Sequence, residues 1–180
     1  ACIIYTSGTQ GNPKGVMLSH GGILSNCEGS IYLLKEIISE KPKFLTWLPL
    51  SHSYEHTVQF VQIAIGAKVF YAESIDKLIK NMNDCNPDIM TAVPRFYQNL
   101  FQKINSNFNK VKGFKKYLIS KMLVLGKKKL LNEKLSFFEN IENLICEKLV
   151  RKKIKSQFGG ALKAFISGGG ALDKEVGIFL

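Results

Sequence analysis

A strand that runs directly into a loop of glycine, hydroxyl and lysine residues constrains this chain more than any other feature. The apolar residues Cys2, Ile3 and Ile4 lead into Tyr5-Thr-Ser-Gly-Thr-Gln-Gly-Asn-Pro-Lys-Gly15. Residues 6–15 hold three glycines (Gly8, Gly11, Gly15), three hydroxyls (Thr6, Ser7, Thr9) and Lys14. Glycine lets a backbone turn with positive φ and come close to a ligand. Hydroxyls and free backbone N–H groups donate to phosphate oxygens, and a lysine adds a point charge. Together these suit a polyphosphate, so the chain is expected to handle a nucleotide. The common P-loop is excluded by spacing, because it ends in Gly-Lys-Ser/Thr, whereas Lys14 lies between Pro13 and Gly15.

Beyond the loop, short β-rich runs alternate with helical patterns. Residues 2–5, 44–48, 68–71, 89–93 and 162–166 read as strands. Leu24, Cys27, Ile31, Leu34 and Ile38 recur at steps of three and four, as one helix face does. Val58, Val61 and Ile65 mark a second helix that ends at Gly66, and Ser74 is placed to cap a third carrying Ile75, Leu78, Ile79 and Met82. Such alternation predicts an α/β fold with a largely parallel sheet and flanking helices. After Pro94 and Arg95 the pattern becomes helical only. One stripe runs Tyr97, Phe101, Ile104, Phe108, Val111; a second Phe114, Leu118, Met122, Leu125; a third Phe138, Ile141, Ile145, Leu149. All three read as core-facing.

The net charge is +11, and every basic residue except Arg95 and Arg151 is lysine. The lysines crowd into residues 103–163, most of them within a helical excursion that spans 97–155. A basic face can meet nucleic acid, an anionic membrane or an acidic cofactor, or can simply be solvated. The aromatics Phe108, Phe114, Phe137 and Phe138 fall at helical core spacing rather than as a base-stacking platform, so nucleic acid is not expected. Cys2, Cys27, Cys85 and Cys146 stand far apart in apolar contexts, which suits free thiols in a reducing cytoplasm and indicates neither zinc nor a disulfide framework. With 46% hydrophobic residues over 180 positions, the composition is that of a globular chain. The chain opens inside a strand and closes inside a helix, and is expected to be an internal piece of a longer protein.

Two further segments carry chemistry. Residues 44–56 set His52 and Glu55 just beyond a strand, where ligands collect in α/β sheets. Glu55 at a helix start needs no reason beyond the helix dipole. Residues 165–172 join a strand to a helix through Gly168, Gly169 and Gly170, which permit close approach to a flat ligand.

The first loop closely resembles the phosphate loop of the adenylate-forming enzymes, which comprise acyl-CoA synthetases, luciferases and peptide-synthetase adenylation domains; it departs at Gln10, where Thr or Ser is usual. Leu48-Pro-Leu-Ser-His52 is similar to the second signature of acyl-CoA synthetases. Val93-Pro-Arg95 is similar to an element of the long-chain members, in which Arg95 would order the strand exit or pair with a carboxylate. Ser167-Gly-Gly-Gly-Ala-Leu172 resembles the Ser-Gly-Gly-Ala-x-Leu element, with Gly170 in place of the usual Ala. The resemblance implies part of the large N-terminal AMP-binding domain over residues 1–180, without the mobile C-terminal domain and its catalytic lysine.

It implies ATP-dependent activation of a long-chain fatty acid to acyl-adenylate and then acyl-CoA, with ATP and Mg²⁺ as cofactors and CoA as co-substrate. Thr6, Ser7, Gly8, Thr9, Gly11 and Lys14 would hold the phosphates, Thr6 would also touch the metal, Lys14 and His52 would serve catalysis, and Gly168, Gly169, Gly170 and Ala171 would meet the adenine. These 180 residues alone are expected to be inactive. The rival readings are a ligase for another carboxylic acid and a truncated, lysine-rich binding fragment. The expected location is cytoplasmic, with peripheral membrane contact.

Overall fold

The computed structural model describes residues 2–6 and 12–180. The chain begins with a hairpin, β1 (Cys2–Thr6) antiparallel to β2 (Lys14–Leu18), which forms a two-stranded sheet of its own. Lys14–Leu18 is a strand that the sequence does not announce. Its apolar residues Val16, Met17 and Leu18 directly follow the loop, so strand and loop read as one segment.

The main sheet is parallel, ordered β4-β3-β5-β6, with β3 at Lys43–Thr46, β4 at Lys68–Tyr71, β5 at Ile89–Ala92 and β6 at Ala164–Ser167. Phe44, Leu45, Ile89, Met90 and Ala92 in the two central strands are buried. Strands covered on both faces need such continuous apolar runs. Helix α1 (His20–Leu34) precedes β3, α2 (Ser53–Ala64) joins β3 to β4, and α3 (Leu78–Cys85) joins β4 to β5. α3 starts later than the position of Ser74 predicts. Ser74 and Ile75 instead supply carbonyls to the amides of Lys77 and Leu78 in a preceding turn. Leu78, Met82 and Cys85 of α3 pack on Leu45 and Met90, and Phe158 and Leu162 close the same core. Cys27, Cys85 and Cys146 are buried, and all four thiols are free.

Between β5 and β6 the chain is helical. α4 (Pro94–Lys110) opens on a proline, which suits the first turn because its missing N–H has no helical partner there. α5 (Phe114–Leu130) and α6 (Phe137–Cys146) follow, then a π-helical turn (Glu147–Arg151) and α7 (Lys152–Ser156). After β6, α8 (Lys174–Phe179) starts on an Asp173 cap that accepts from the amides of Glu175 and Val176. Tyr97 of α4 is buried against Ala92 and Val176, and Leu118, Met122 and Leu125 of α5 are buried as the stripe predicts.

α6 overturns its stripe. Phe138, Ile141, Ile145 and Leu149 face solvent, as do Phe114 and Phe137. The inward side of α6 is polar instead. Lys121 Nζ donates to Glu142 at 2.9 Å, Lys128 Nζ to Glu139 at 2.5 Å, and Arg151 Nη1 to Asn143 Oδ1 at 2.7 Å. Arg151 also donates to the Met122 carbonyl of α5 at 3.2 Å. Charge pairing across the seam flanks an apolar contact in which buried Cys146 packs on Leu118 and Met122, and both lie on the inward face of α6.

Candidate functional site at the strand exits

β3, β5 and β6 run parallel, so their carboxyl ends share one edge of the sheet. Three strand exits meet there and are stitched by hydrogen bonds that sequence alone does not reveal. The Trp47 indole N–H, just past β3, donates to the Thr91 carbonyl in β5 at 2.9 Å. The Gly168 amide, just past β6, donates to the Ala92 carbonyl at 3.2 Å. Tyr54 and Tyr97 hydroxyls both donate to the Ile166 carbonyl, at 3.1 and 3.0 Å. Burial, with a smaller contribution from the charge of nearby Glu55, pushes the Tyr54 phenol up to about 12. Burial raises Tyr97 as well. Both therefore act as fixed neutral donors at neutral pH.

His52 occupies the N-cap position of α2 and is exposed, and its ring makes no capping hydrogen bond. Its amide closes a turn onto the Pro49 carbonyl at 3.1 Å. Among the described residues the imidazole has no hydrogen-bond partner, and backbone holds it at the strand exit. One helical turn on, Glu55 is 1% exposed. The Thr91 hydroxyl donates to its Oε2 at 3.3 Å, while its Oε1 has no partner among the described residues. Gln62 Nε2 donates to the Thr46 hydroxyl at 3.1 Å, extending the cluster. Burial raises the Glu55 carboxyl above its ordinary range, against the opposing pull of hydrogen bonds from Thr46 and Thr91.

The helix dipole, sufficient to explain Glu55 in the sequence, does not foretell this cluster. The signal was present: Glu55 and Gln62 are two turns apart on one face of α2, and both central strands end in or near a threonine.

The three glycines of the β6 exit serve different ends. A Cβ on Gly168 would lie 2.0 Å from the Tyr54 ring, so that glycine is required for packing. Gly169 has φ of 76°, which a residue with a Cβ adopts only at a cost. Gly169, Gly170 and Ala171 are exposed, and these three offer backbone to a ligand. Arg95 is exposed beside them, and no carboxylate among the described residues pairs with it.

Thr6 and Lys14 are register partners at the open end of the hairpin, and the Thr6 hydroxyl donates to the Lys14 carbonyl at 3.4 Å. Both are exposed. Ser7, Gly8, Thr9 and Gly11, also expected to hold phosphate, lie outside the described residues. Cys2 Sγ and His56 Nε2, 3.2 Å apart, tie the base of the hairpin to α2, the helix that starts just after His52. Among the described residues no group of three or more His, Cys, Asp or Glu side chains could hold a metal. Mg²⁺ takes oxygen ligands and keeps several waters, so the exposed Thr6 hydroxyl is compatible as one ligand beside nucleotide oxygens.

A cleft of about 890 Å³ opens on the helical side, between α4, α5, α7 and α8, lined by Phe101, Ile104, Phe108, Met122, Ile154 and Phe165 among others. Its walls are mainly apolar, as a hydrocarbon ligand requires.

The chain is similar to known proteins over nearly its whole length. A long chain acyl-CoA synthetase 6, peroxisomal, from Arabidopsis thaliana is 34% identical over all of this chain and 25% of its own length. Fatty acyl-CoA synthetase A from Dictyostelium discoideum is 32% identical over 99% of this chain and 26% of its own. This chain therefore spans about a quarter of the length of these relatives. Among solved structures, the adenylation domain of a carboxylate reductase from Mycobacterium chelonae matches with a TM-score of 0.65, over 97% of this chain and 23% of its own, at 20% identity. The N-terminal domain of FACL13 from Mycobacterium tuberculosis gives 0.55 over 98% and 33%, at 18% identity. At those identities the structures speak for the fold alone, an α/β arrangement of parallel sheet and flanking helices. The AMP-binding enzyme family matches residues 1–180 throughout, and the chain belongs to that family.

Proposed function

We propose that these residues form the nucleotide-gripping and acid-facing part of a longer ligase, one that activates a long-chain fatty acid with ATP and passes the acyl group to CoA. The observation that carries this reading is the hairpin. Thr6 and Lys14 face one another across the mouth of a glycine- and hydroxyl-rich loop, in a chain whose 34% identical relative is a long chain acyl-CoA synthetase.

In the first step a carboxylate oxygen bonds to the α-phosphorus of ATP and pyrophosphate leaves. In the second, the CoA sulfur bonds to the acyl carbon, AMP departs and the thiol proton passes to solvent. Negative charge shifts among the phosphates in the first step, so fixed donors matter most there. Thr6, Ser7, Gly8, Thr9, Gly11 and Lys14 are proposed to hold the β- and γ-phosphates. Mg²⁺ would neutralise phosphate charge, with the Thr6 hydroxyl as one ligand.

His52, held open at the β3 exit, would stand beside the carboxylate and the adenylate. Exposed backbone at Gly169, Gly170 and Ala171 would meet the adenine, while Gly168 sets the turn beneath Tyr54. The apolar cleft beyond Tyr97 and Phe165 suits the hydrocarbon tail. Residues 1–180 are proposed as part of one AMP-binding domain with 97–155 as a helical excursion. Alone, without the mobile C-terminal domain, they would not complete turnover. The protein is proposed to work in the cytoplasm in peripheral contact with a membrane.

The test is ATP–pyrophosphate exchange by the full-length protein over a series of acids. Exchange should be fastest with long-chain acids, and Thr6→Ala or Lys14→Ala should each slow it about a hundredfold or more, roughly 3 kcal/mol of transition-state stabilisation. Unchanged exchange in the Thr6→Ala/Lys14→Ala double variant would defeat the reading, and exchange confined to short or aryl acids would move it to another ligase class.

A further inference from the structure

α6 has its polar side inward and its apolar side outward, the reverse of a helix that packs on a core. Phe137, Phe138, Ile141, Leu144, Ile145 and Leu149 are between 41% and 76% exposed and lie on one continuous face. Contiguous exposed apolar area of this kind marks an interaction surface. Its charge pattern is one-sided. Glu139 and Glu142 turn to lysines of α5, and Glu147 pairs with Arg151, so each carboxylate within α6 and the π-helical turn has a cationic partner, and exposed Glu133 lies before the helix beside Lys134. What remains along the helix and turn is lysine. Exposed Lys134 precedes the helix, Lys148 stands four residues after Leu144 and seven after Ile141, and Lys152 follows the π-helical turn.

Lys148 decides between coverings. A protein interior laid over this face would bury its ammonium among aliphatic side chains, where an unpaired charge is strongly disfavoured. At a lipid surface the same side chain reaches up to the phosphates while its neighbours enter the acyl boundary. Among the described residues no helix is long and apolar enough to cross a membrane, so such a helix lies along the surface.

We propose that the outward face of α6 and the π-helical turn docks on an anionic lipid surface, with the two phenylalanines as wedges and the lysines on lipid phosphates. This deepens the membrane-peripheral part of the proposed function and rests on it. Docking there would set an enzyme for apolar acids where those acids partition.

The experiment uses the full-length protein with sedimented vesicles of phosphatidylcholine, alone or with one third phosphatidylglycerol. An environment-sensitive fluorophore on Leu144→Cys reports the face directly. Expected are binding to the anionic vesicles only, brightening of the fluorophore on binding, and loss of about tenfold or more of the affinity in Phe138→Asp/Ile145→Asp. Pyrophosphate exchange with a water-soluble acid, measured without vesicles, should be the same in that variant. Equal binding to both vesicle types would overturn the anionic requirement. Binding that survives the double substitution with a dark fluorophore would overturn this face while leaving membrane contact elsewhere intact. Absence of binding by the unaltered protein would overturn both. A Leu144→Cys thiol that resists labelling in buffer would show the face covered by another segment or a second copy, and would also overturn the proposal.

Discussion

Beneath the carboxyl ends of the parallel strands a few polar groups are buried and linked to one another, whereas in the α5–α6 pair they flank a small apolar contact and leave larger apolar side chains outside. Glu55, Thr46, Thr91 and Gln62 sit beneath α2 and are nearly inaccessible. Glu139 and Glu142 line a contact that water still reaches. The first arrangement fixes loops: with Trp47, Tyr54 and Tyr97 it holds three strand exits in register around an open imidazole and an exposed glycine turn. The second fixes a surface, since the acidic residues of α6 turn inward to partners in α5, beside the Cys146 contact, and its larger apolar residues face outward. The same residue types thus brace a candidate site in one place and an exterior in the other, and they differ in how deeply they are buried.

Gly168→Ala tests the rigid side of that contrast and should have the largest effect. The new methyl would stand 2.0 Å from the Tyr54 ring, which is pinned by its hydroxyl on Ile166. Overpacking of this kind costs about 1–3 kcal/mol and occasionally more, so the denaturation midpoint of the full-length protein should fall and His52, two residues from Tyr54, should shift with it. Adding Tyr54→Ala should recover part of the loss, and strict additivity in that double-mutant cycle would show the contact to be unimportant.

Arg151→Met tests the other side. The guanidinium donates to Asn143, Glu147 and the Met122 carbonyl, and bonds to a charged group are worth about 1.5–3 kcal/mol. A loss of about 2 kcal/mol, seen as faster hydrogen exchange through α6 with β5 unaffected, is expected. Equal loss of protection in β5 would mean that the two regions unfold as one.

How much of this was legible in the sequence follows from which force set each element. The parallel sheet was readable because Phe44, Leu45, Ile89 and Met90 are apolar for a single reason, burial on both faces. The strand exits were readable as places, since Pro49 and Gly168 to Gly170 punctuate them, but the bonds across them were not: Trp47 to Thr91 and Tyr54 to Ile166 join residues 44 and 112 positions apart. Glu55 was misjudged because a helix-starting carboxylate looks the same whether it faces water or two threonines. The α6 stripe was misjudged for the opposite reason. Periodicity locates an apolar face correctly without saying what it faces, and the partners of the acidic residues on the opposite face lie on another helix.

Acidity should pull the two regions in opposite directions, and this is the subtlest difference expected. The Lys128 ammonium first, with the Ser136 amide, holds the Glu139 carboxyl down at about 2. A depressed carboxylate contributes stability that is present above its unfolded value, about 4.3, and is lost as pH falls toward the folded one, so the α5–α6 seam should loosen on acidification. Glu55 is raised by burial. Folding then favours its protonated form: the contribution is complete below the unfolded value and is lost as pH rises through the folded one. Acid should therefore tighten the strand exits while it loosens α6. Protection factors corrected for intrinsic exchange, compared at about pH 4 and about pH 7, should fall in α6 and rise at Thr91 and Ala92. Glu55→Gln, neutral at both, should abolish the rise at β5, leave the fall in α6, and make the exits firmer than in the unaltered protein at the higher pH. If the rise persisted in that variant, the proton responsible would belong to another group.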